Sequence, residues 1–251
     1  MCLILFAIDQ HEDYPFVVIA NRDEFYARPT RSAHWWEDTS SVYAGRDLEA
    51  NGTWMGVDKQ GRFAAVTNVR EPGVKHDAPL SRGDLPRNFL QGNLGAEAYL
   101  QGLALDQYAG FNLLLADHSG CWFLSNRDTT IRKIPAGVYG VSNGYFDEPW
   151  PKLETGKFAL QQCLQTSVDA ENLFSILLDK DQASEELLPN TGISREFERL
   201  LSSRFIHSNE YGTRASSVLL KSSNSLSFIE RNFDQSGAMG DVIAETIVIG
   251  S

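Results

Sequence analysis

The stretch that decides the fold is residues 2–25, CLILFAIDQHEDYPFVVIANRDEF. Residues 2–8 are an almost unbroken apolar run, residues 16–20 are a second one, and polar, turn-forming residues separate the two. Apolar runs of this length, bounded by turn residues, are typical of buried strands. We therefore predict an antiparallel hairpin at the start of the chain, with Cys2 as the first residue of its first strand.

Strand patterns recur along the chain, at residues 53–57, 62–69, 111–116, 121–124, 137–142, 215–220, 226–231 and 245–250. The turn DKQG joins the first two of these, and its Gly61 can supply the positive φ that hairpin loops often require. Apolar residues at helical spacing predict helices at 84–105, at 196–204, and from residue 150 to the loop at 189–192. Asp169 is the predicted N-cap of one of these helices, with Asn172 three residues later.

The order of strands, a short helical stretch, strands, helices and strands again predicts an α+β fold of two antiparallel sheets with helices packed outside them. A chain of 251 residues is long enough to bury a substantial core. The sequence contains no internal repeat, low-complexity tract or linker that would divide it. We therefore expect a single domain over residues 1–251.

Composition and charge narrow the class of partner. The net charge of −11 would repel a phosphate backbone, so we expect no nucleic-acid partner. The first residues, MCLILFAID, lack a positive segment and reach Asp9 too soon to span a bilayer, so stable membrane insertion is not expected. The three cysteines have no CxxC spacing and leave one unpaired if a disulfide forms, which favours a reducing compartment. We expect a cytoplasmic protein.

Cys2 is the first candidate for chemistry. A thiol directly behind the initiator Met1 becomes a nucleophile with its own base once Met1 is removed, because the free α-amine then lies beside the sulfur. By position alone, however, Cys2 is better interpreted as a small apolar residue at a strand start, since free cysteine is often buried and inert.

Polar residues at or near the predicted strand ends favour the interpretation of Cys2 as part of an active site. They are Asn21, Arg22, Asp23, Asn68, Asn143 and Arg214. An active site in a sheet protein can be assembled from such positions, whereas packing alone would not place asparagine and arginine there. Turns also use asparagine freely, so any one of these residues taken alone is better explained as a turn residue.

Several separate motifs occur in one order along the chain: ANRDEF with Arg28-Pro29, AGRD, GTWMG, Thr67-Asn68, GFNLL, GVSN and YGTR. Together they resemble the NRDE-motif family, also named the transport and Golgi organisation protein 2 family, from Met1 to the last strands. The resemblance implies an association with haem trafficking and with acyl-CoA or lipid metabolism, and it brings no settled catalytic reaction.

The spacing of Cys2, Asn68, Asn143 and Arg214 is also similar to that of choloylglycine hydrolases and penicillin acylases, which are N-terminal-nucleophile (Ntn) hydrolases. This wider resemblance implies a four-layer αββα sandwich. It makes Cys2 the nucleophile, Asn68 and Asn143 oxyanion donors, and Arg214 the cation that lowers the thiol pKa.

The segment Asn21 to Glu24 departs from the hydrolase pattern, because Arg22 falls between Asn21 and Asp23 instead of preceding both an asparagine and an aspartate. Asp23 is expected to anchor the α-amine. Arg22 is an alternative ligand-binding group that could grip a carboxylate or phosphate, with Asn21 and Glu24 beside it.

Large aromatic residues are candidate pocket walls. Trp35 and Trp54 can lie against a flat ligand, although buried core is the more frequent fate of tryptophan. Residues 45–47 and 52–56 are predicted loop and pocket wall, without phosphate-loop spacing. The five histidines lack metal-ligand spacing, so no metal site is expected, and His34 is retained as an axial ligand if haem binds.

Three functions follow from these residues. The first is an amide hydrolase that attacks a small acyl-amide substrate with Cys2. The second is a non-enzymatic carrier of a small hydrophobic anionic ligand, such as haem, acyl-CoA or another lipid. The third is an interaction protein that keeps the fold without the chemistry, because fold alone does not fix function.

Overall fold

The computed structural model describes residues 2–74 and 78–249. Within these ranges the chain forms thirteen strands: β1 (Cys2–Ile8), β2 (Phe16–Phe25), β3 (Thr30–Trp35), β4 (Val42–Asp47), β5 (Met55–Asp58), β6 (Phe63–Asn68), β7 (Phe111–Asp117), β8 (Gly120–Ser125), β9 (Arg132–Ile134), β10 (Gly137–Val141), β11 (Tyr211–Lys221), β12 (Ser225–Phe233) and β13 (Met239–Val248). The same ranges contain five α-helices: α1 (Asp84–Gln91), α2 (Ala96–Gln101), α3 (Pro151–Thr166), α4 (Ala170–Leu177) and α5 (Arg195–Leu200).

The strands form two antiparallel sheets. The first sheet has the order β10-β1-β2-β11-β12-β13, and the second runs from β3 to β9 in sequence order. One apolar cluster lies between the sheets and includes Phe6, Val18 and Phe228 from the first and Phe63 and Phe123 from the second. This inner cluster joins the two sheets face to face, as in a β-sandwich.

The outer face of each sheet is covered by helices. Leu5 and Ile19 of the first sheet pack in a second cluster with Leu160 and Phe174 of α3 and α4. A third cluster joins the second sheet to α1 and α2. The four layers are therefore helix, sheet, sheet, helix, and the predicted αββα sandwich of two antiparallel sheets flanked by helices is confirmed.

The N-terminal hairpin is also confirmed, but its second strand is longer than predicted. β1 pairs with β2 from Cys2 opposite Arg22 to Ile8 opposite Phe16, and β11 pairs with the other edge of β2. β2 continues to Phe25, so the prediction that Asn21 to Asp23 follow the strand is wrong. The polar residues stay in the strand because tertiary partners satisfy their side chains, as described below.

Several local predictions can be checked in the same way. Gly61 has φ +73°, as expected for the turn, and the Asp169 side chain accepts a hydrogen bond of 2.9 Å from the Asn172 amide. The predicted helix at 84–105 is two helices, because Gly92 follows α1 and Gly95 precedes α2. Residues 45–47 lie in β4 and not in a loop.

Two further differences from the predictions concern the end of α5 and the position of Arg214. α5 ends at Leu200 and not at Arg204, whose guanidinium instead donates to the Ile176 carbonyl at 2.7 Å. Arg214 lies inside β11, at a point where the register of the β2–β11 pair shifts. A shift of this kind is typical of a β-bulge, which changes the direction of side chains on the bulged strand.

Candidate functional site

β2 carries polar side chains to both faces of the first sheet. Successive residues of a strand point to opposite faces, so Asn21 and Asp23 share one face while Arg22 and Glu24 share the other. The helical layer covers the first face, and the second sheet lies against the other face. The motif NRDE is therefore two interleaved pairs with different surroundings.

Asn21 is held on the helical side. Its side-chain amide donates to the carbonyls of Leu177 and Arg204, at 2.9 and 2.8 Å, and its oxygen accepts from the Ser216 hydroxyl at 2.6 Å. Asn21 is only 1% exposed, so these bonds satisfy a fully buried amide. In this structure Asn21 joins β2 to α4 and to the loop after α5, and the structure does not bring its side chain into the site with Arg22.

Asp23 is buried on the same face. One carboxylate oxygen accepts from the Thr213 hydroxyl at 2.8 Å, and the Asp23 carbonyl accepts from the Tyr211 hydroxyl at 3.0 Å. Burial raises the pKa of Asp23 to about 6, although the positive charges of Lys152 and Arg22 oppose the rise. Desolvation therefore outweighs the favourable charges, since the charged carboxylate loses its water.

Replacement of Asp23 by asparagine is expected to flatten the pH dependence of stability. Because the pKa of Asp23 in the folded protein lies above its ordinary value of 3.8, folding favours the protonated form. This contribution is complete below about pH 4 and is lost as the pH rises through about 6. Between these limits the wild type should lose about 3 kcal/mol more than Asp23→Asn, measured by urea unfolding at several pH values. Parallel pH profiles for the two proteins would contradict this.

Arg22 is fixed on the opposite face. Its guanidinium carbon lies 4.3 Å from the centre of the Trp54 ring, and Nη2 lies 3.7 Å from Oδ2 of Asp47. The Arg22 side chain is 4% exposed. An arginine stacked on tryptophan and paired with a carboxylate keeps its planar fork in one orientation, so Arg22 is a preorganised cation.

Asp47 also binds a second arginine. Nε of Arg28 donates to the same Oδ2 at 2.6 Å, while Oδ1 accepts from the amides of Glu49 and Ala50 at 3.0 Å. Burial alone would raise the pKa of Asp47, but these hydrogen bonds and the charge of Arg28 lower it below its ordinary value. Asp47 is therefore a stable carboxylate that positions both guanidinium groups.

A cavity of about 130 Å³ opens beside these groups. Its lining includes Arg22, Glu24, Arg28, Asp47, Trp54, Asn68 and Arg82. A much larger groove of about 800 Å³ shares Glu24 and Asn68 with the cavity. Its apolar lining comes from Phe25, Phe197, Leu200, Leu201 and Tyr211. Both spaces are lined by Glu24 and Asn68, so a polar recess lies beside an apolar groove.

The wall of the cavity depends on a glycine. A Cβ at Gly52 would lie 2.5 Å from the carbonyl carbon of Gly83 and 2.6 Å from its oxygen. The same carbonyl accepts a hydrogen bond of 3.1 Å from the Thr53 amide, so the two backbone segments are already in contact. Any side chain at residue 52 would push the start of α1 away from the loop before β5.

Gly52→Ala is therefore expected to lower the free energy of unfolding by about 1–3 kcal/mol, the usual cost of overpacking against a rigid neighbour. Urea unfolding measures this change. Gly102→Ala is the matched control, because its nearest atoms would lie at 3.6 Å and 3.7 Å, in ordinary contact. Equal stability losses in the two variants would show that the approach of Gly52 to Gly83 is not what matters.

The two candidate asparagines have different surroundings. Asn68 is half-buried and lines both the cavity and the groove. Asn143 is 1% exposed, and its side-chain amide donates to the Asn68 carbonyl at 2.8 Å. Its own carbonyl accepts from the Arg70 amide at 2.7 Å. Asn143 thus holds the end of β6 in place, and its amide is already engaged with the backbone of Asn68.

In the described part of the chain, neither Arg214 nor Trp35 lines the cavity. One guanidinium nitrogen of Arg214 donates to the carbonyls of Phe25, Tyr26 and Arg28, at 3.1, 3.1 and 3.2 Å. Arg214 therefore holds the turn that follows β2. Trp35 packs edge-on against Tyr43 at 5.3 Å and contributes to the core between the sheets.

Cys2 is described through its backbone. Its Cα partner across the β1–β2 ladder is Arg22, so the chain's first described residue lies one strand away from the cavity. The Cys2 side chain and Met1 lie outside the described residues. The nucleophilic role of Cys2 and the expected link between Asp23 and the α-amine stay predictions.

A buried ion pair lies behind the groove. Nη1 of Arg70 is 2.8 Å from Oε2 of Glu198, and the two side chains are 7% and 0% exposed. The other oxygen of Glu198 accepts from the amide and the hydroxyl of Thr191, at 2.7 and 2.6 Å. Burial lowers the pKa of Arg70, although Glu198 opposes the change. The pair ties α5 to the segment after β6.

The expected ligands for haem can be tested against the groove. Its lining, over the residues that the structure describes, includes no histidine, cysteine or methionine and includes three glutamates. Nδ1 of His34 lies 2.7 Å from the Ser32 carbonyl in β3, away from this lining. The groove lining has a tyrosine, Tyr211, but its hydroxyl already donates to the Asp23 carbonyl at 3.0 Å, so the described lining does not fit an axially ligated haem. Across residues 2–74 and 78–249, no group of three His, Cys, Asp or Glu side chains is arranged to hold a metal ion.

Other site residues were not predicted from the sequence. Arg28 and Arg82 line the cavity, and Phe25 and Phe197 line the groove. Arg28 belongs to the RP dipeptide, and Arg82 lies in the polar segment just before α1. A usable signal was the exposure of large apolar side chains, since Phe25 and Phe197 are 55% and 56% exposed. That signal requires the folded chain.

None of the helices in the described ranges is both long enough and apolar enough to cross a bilayer.

Comparisons with known proteins agree with this fold. A family model described as Transport and Golgi organisation 2 matches residues 1–235. The Transport and Golgi organization protein 2 homolog of Bos taurus is 32% identical over 257 residues, which cover 92% of this chain and 93% of the relative.

Two solved structures have a similar fold at low sequence identity. A mutant of the conjugated bile acid hydrolase from Clostridium perfringens matches with a TM-score of 0.55 at 10% identity, over 98% of this chain and 92% of that one. The Caenorhabditis elegans ortholog of N-acylethanolamine-hydrolyzing acid amidase matches with a TM-score of 0.52 at 11% identity, over 87% and 92% of the two chains. The expected Ntn-hydrolase-like fold is thus confirmed, and the chain belongs to the Transport and Golgi organisation 2 family.

Proposed function

We propose that this protein hydrolyses the amide bond of a small acyl amide, with Cys2 as the nucleophile after removal of Met1. The observation that carries the proposal is that a polar cavity and a large apolar groove share Asn68 in their linings, one strand away from the start of β1. Such a pair of spaces suits a substrate with a polar end and an apolar chain, and the amide lies where the two halves join.

The reaction has two steps. In the first, the Cys2 sulfur forms a bond with the carbonyl carbon, the C–N bond breaks, and the α-amine passes the thiol proton to the leaving amine. In the second, water attacks the thioester carbonyl, the α-amine accepts a proton from that water, and the carboxylic acid leaves as the thiol is restored. No redox partner is required in either step.

The surrounding residues have distinct roles in this proposal. The side chain of Asn68 donates to the carbonyl oxygen as negative charge develops there. Arg22, held by Trp54 and Asp47, favours the thiolate by its positive charge. Asn143 and Arg214 act as positioning residues, because the first bonds to the Asn68 carbonyl and the second to the turn after β2.

The fold relatives support the proposal by analogy. By their names, one hydrolyses conjugated bile acids and the other is an amidase that hydrolyses N-acylethanolamines. At 10% and 11% identity, these likenesses concern the fold alone. We also propose a cytoplasmic location, where a reducing medium keeps the Cys2 thiol available for attack.

Intact mass spectrometry tests the proposal directly. The purified protein should lack Met1, and after brief exposure to N-lauroylethanolamine it should carry a lauroyl group on the N-terminal peptide, with lauric acid released on longer incubation. A matched incubation with dodecane-1-ol, which has no carbonyl group, should leave the mass unchanged. Retention of Met1 would block the α-amine and defeat this mechanism.

A carrier of a hydrophobic ligand is the second candidate, and the volume and apolar lining of the groove favour it. Fatty acyl-CoA or another anionic lipid would place its chain along Phe25 and Phe197 and its acidic group near Arg22. Calorimetric titration with lauroyl-CoA separates the two functions. Saturable micromolar binding without product release would favour the carrier, whereas release of lauric acid from N-lauroylethanolamine would favour the enzyme.

A further inference from the structure

We propose that Asn51 is a site of spontaneous modification, at which the Gly52 amide nitrogen attacks the Asn51 side chain and converts that residue to aspartate or isoaspartate. The site lies between β4 and β5, and Gly52 forms part of the cavity wall. The modification is a reaction of the chain with itself and water, so it goes beyond the proposed hydrolysis and does not depend on it.

The sequence supplies the reacting pair. An asparagine side chain can close a ring with the amide nitrogen of the next residue, and glycine at that next position leaves the nitrogen unshielded because it has no Cβ. The chain contains two Asn-Gly pairs, at residues 51–52 and 143–144. Their surroundings differ, so the structure decides which of them reacts.

Asn51 is exposed, and its side chain is free to turn. Its φ is +58°, in the left-handed region that asparagine tolerates better than most residues. The hydrogen bonds of Asn51 within the described ranges use its backbone: its amide donates to the Asp47 carbonyl at 2.9 Å, and its carbonyl accepts from Arg87. The Gly52 amide donates to no residue in those ranges. Both reacting groups are therefore available.

Arg87 favours loss of the Gly52 amide proton. Its Nη1 atom lies 3.4 Å from the Asn51 carbonyl oxygen. That oxygen and the Gly52 nitrogen belong to one peptide group, in which electrons are delocalised between the two atoms. When the nitrogen loses its proton, negative charge develops on the oxygen as well, and the nearby guanidinium stabilises it.

The reaction consumes water and releases ammonia. The Gly52 nitrogen gives its proton to a solvent base and bonds to Cγ of Asn51, the bond between Cγ and Nδ2 breaks, and Nδ2 leaves as ammonia after taking a proton from water. The product is a cyclic imide. Water then adds to one of its two carbonyl carbons. Cleavage of the new bond to Cγ gives aspartate, and cleavage of the bond to the original main-chain carbonyl gives isoaspartate.

The second Asn-Gly pair is protected by its surroundings. Asn143 is 1% exposed, and its side-chain amide donates to the Asn68 carbonyl at 2.8 Å. The nitrogen that must leave is therefore held by a buried hydrogen bond. Attack at Asn143 would first require this part of the fold to open, and local opening of buried structure costs free energy.

The modification alters the wall of the cavity. The Gly52 carbonyl accepts from the Asp47 amide at 3.0 Å, and the next amide, that of Thr53, donates to the Gly83 carbonyl at 3.1 Å. Isoaspartate places an additional carbon in the main chain directly before these bonds. The contact between Gly52 and Gly83 leaves no room for a Cβ, so a shift of the chain here should weaken the wall.

Peptide mapping of the full chain after incubation in mildly alkaline buffer tests the site. We expect conversion at Asn51 to be about 10-fold faster or more than at Asn143, because the second site must open before it reacts. Labelling by an isoaspartate-specific carboxyl methyltransferase identifies the isoaspartate product. Asn51→Gly should abolish the labelling and still permit the positive φ. Equal rates at Asn51 and Asn143, or an intact Asn51, would overturn the proposal.

Variants of Arg87 test its part in the reaction. Arg87→Gln should slow conversion of Asn51 about 3-fold or more, as expected for loss of one charge contact near the surface. Arg87→Lys should keep part of the rate through its charge. Arg132→Gln is the matched control, since Arg132 pairs with Asp128 in another exposed ion pair. A wild-type rate in Arg87→Gln would overturn the role of Arg87.

The effect on the wall is measured by thermal unfolding. Ion exchange separates modified from unmodified protein, because the product carries one more negative charge. The isoaspartate form should unfold about 4 °C or more below the unmodified protein. Asn51→Asp has the same charge without the additional main-chain carbon, and its midpoint should stay within about 2 °C of wild type. Equal midpoints for the isoaspartate form and Asn51→Asp would overturn the effect on the wall.

Discussion

Cys2→Ala should lower the rate of acyl-amide hydrolysis by about 10³-fold or more, because removal of a nucleophile leaves only the oxyanion donors and substrate binding to assist water. The alanine keeps the small apolar character that β1 needs at its first residue, so the fold should be retained. Release of lauric acid from N-lauroylethanolamine, followed by mass spectrometry, measures the change.

Cys163→Ala is the matched control for that result. Cys163 is a buried free cysteine on α3, and its thiol donates to the Ser167 carbonyl at 3.3 Å, on the far side of the first sheet from the cavity. The same chemical change there should leave the rate of hydrolysis within about twofold of wild type, because a packing change far from the cavity does not alter the reacting groups. If Cys2→Ala retained full activity, the nucleophile would have to be another group.

Arg70→Met should lower the free energy of unfolding by about 3–5 kcal/mol. The substitution leaves the Glu198 carboxylate, which is 0% exposed, without the guanidinium that lies 2.8 Å away. Thr191 still donates two hydrogen bonds to Glu198, so the loss should fall toward the lower end of that range. Urea unfolding, fitted with a common slope, gives the difference.

The comparison for Arg70 is an ion pair at the surface. Arg132 pairs with Asp128, and both side chains are partly exposed. Arg132→Met should cost less than about 1 kcal/mol, since water already screens the pair. A double variant, Arg70→Met with Glu198→Leu, should recover part of the loss because no unpaired charge is then buried. A loss below about 1 kcal/mol for Arg70→Met alone would contradict the prediction that this buried pair stabilises the fold.

The hairpin at the start of the chain was predictable because its signal is local. Residues 2–8 and 16–20 are apolar runs, and the turn between them is polar. The extension of β2 through Asn21 and Asp23 was not predictable in this way, since the groups that satisfy them are distant in sequence. Asn21 bonds to the Leu177 and Arg204 carbonyls, 156 and 183 residues away.

The candidate site shows the same division. Trp35 and Trp54 were both predicted to be pocket walls. Trp54 does line the cavity, whereas Trp35 packs in the core. Apolar and polar residues alternate only weakly around Trp35, so β3 was not predicted from the sequence. Arg28 and Arg82 meet only when the turn after β2 and the start of α1 close on one cavity. The spacing of residues in a single sequence does not show that these two segments come together.

The two-sided arrangement of β2 limits how this segment can change during evolution. Deletion or insertion of one residue within β2, between Phe16 and Asn21, would exchange the faces of all the side chains that follow, because the strand repeats every two residues. Arg22 would then face the helical layer, and Asp23 would face the second sheet. A substitution within β2 changes one side chain on one face of the sheet, whereas a change in the length of β2 alters both faces at once. We therefore expect variation in length to be confined to the turn at residues 9–15.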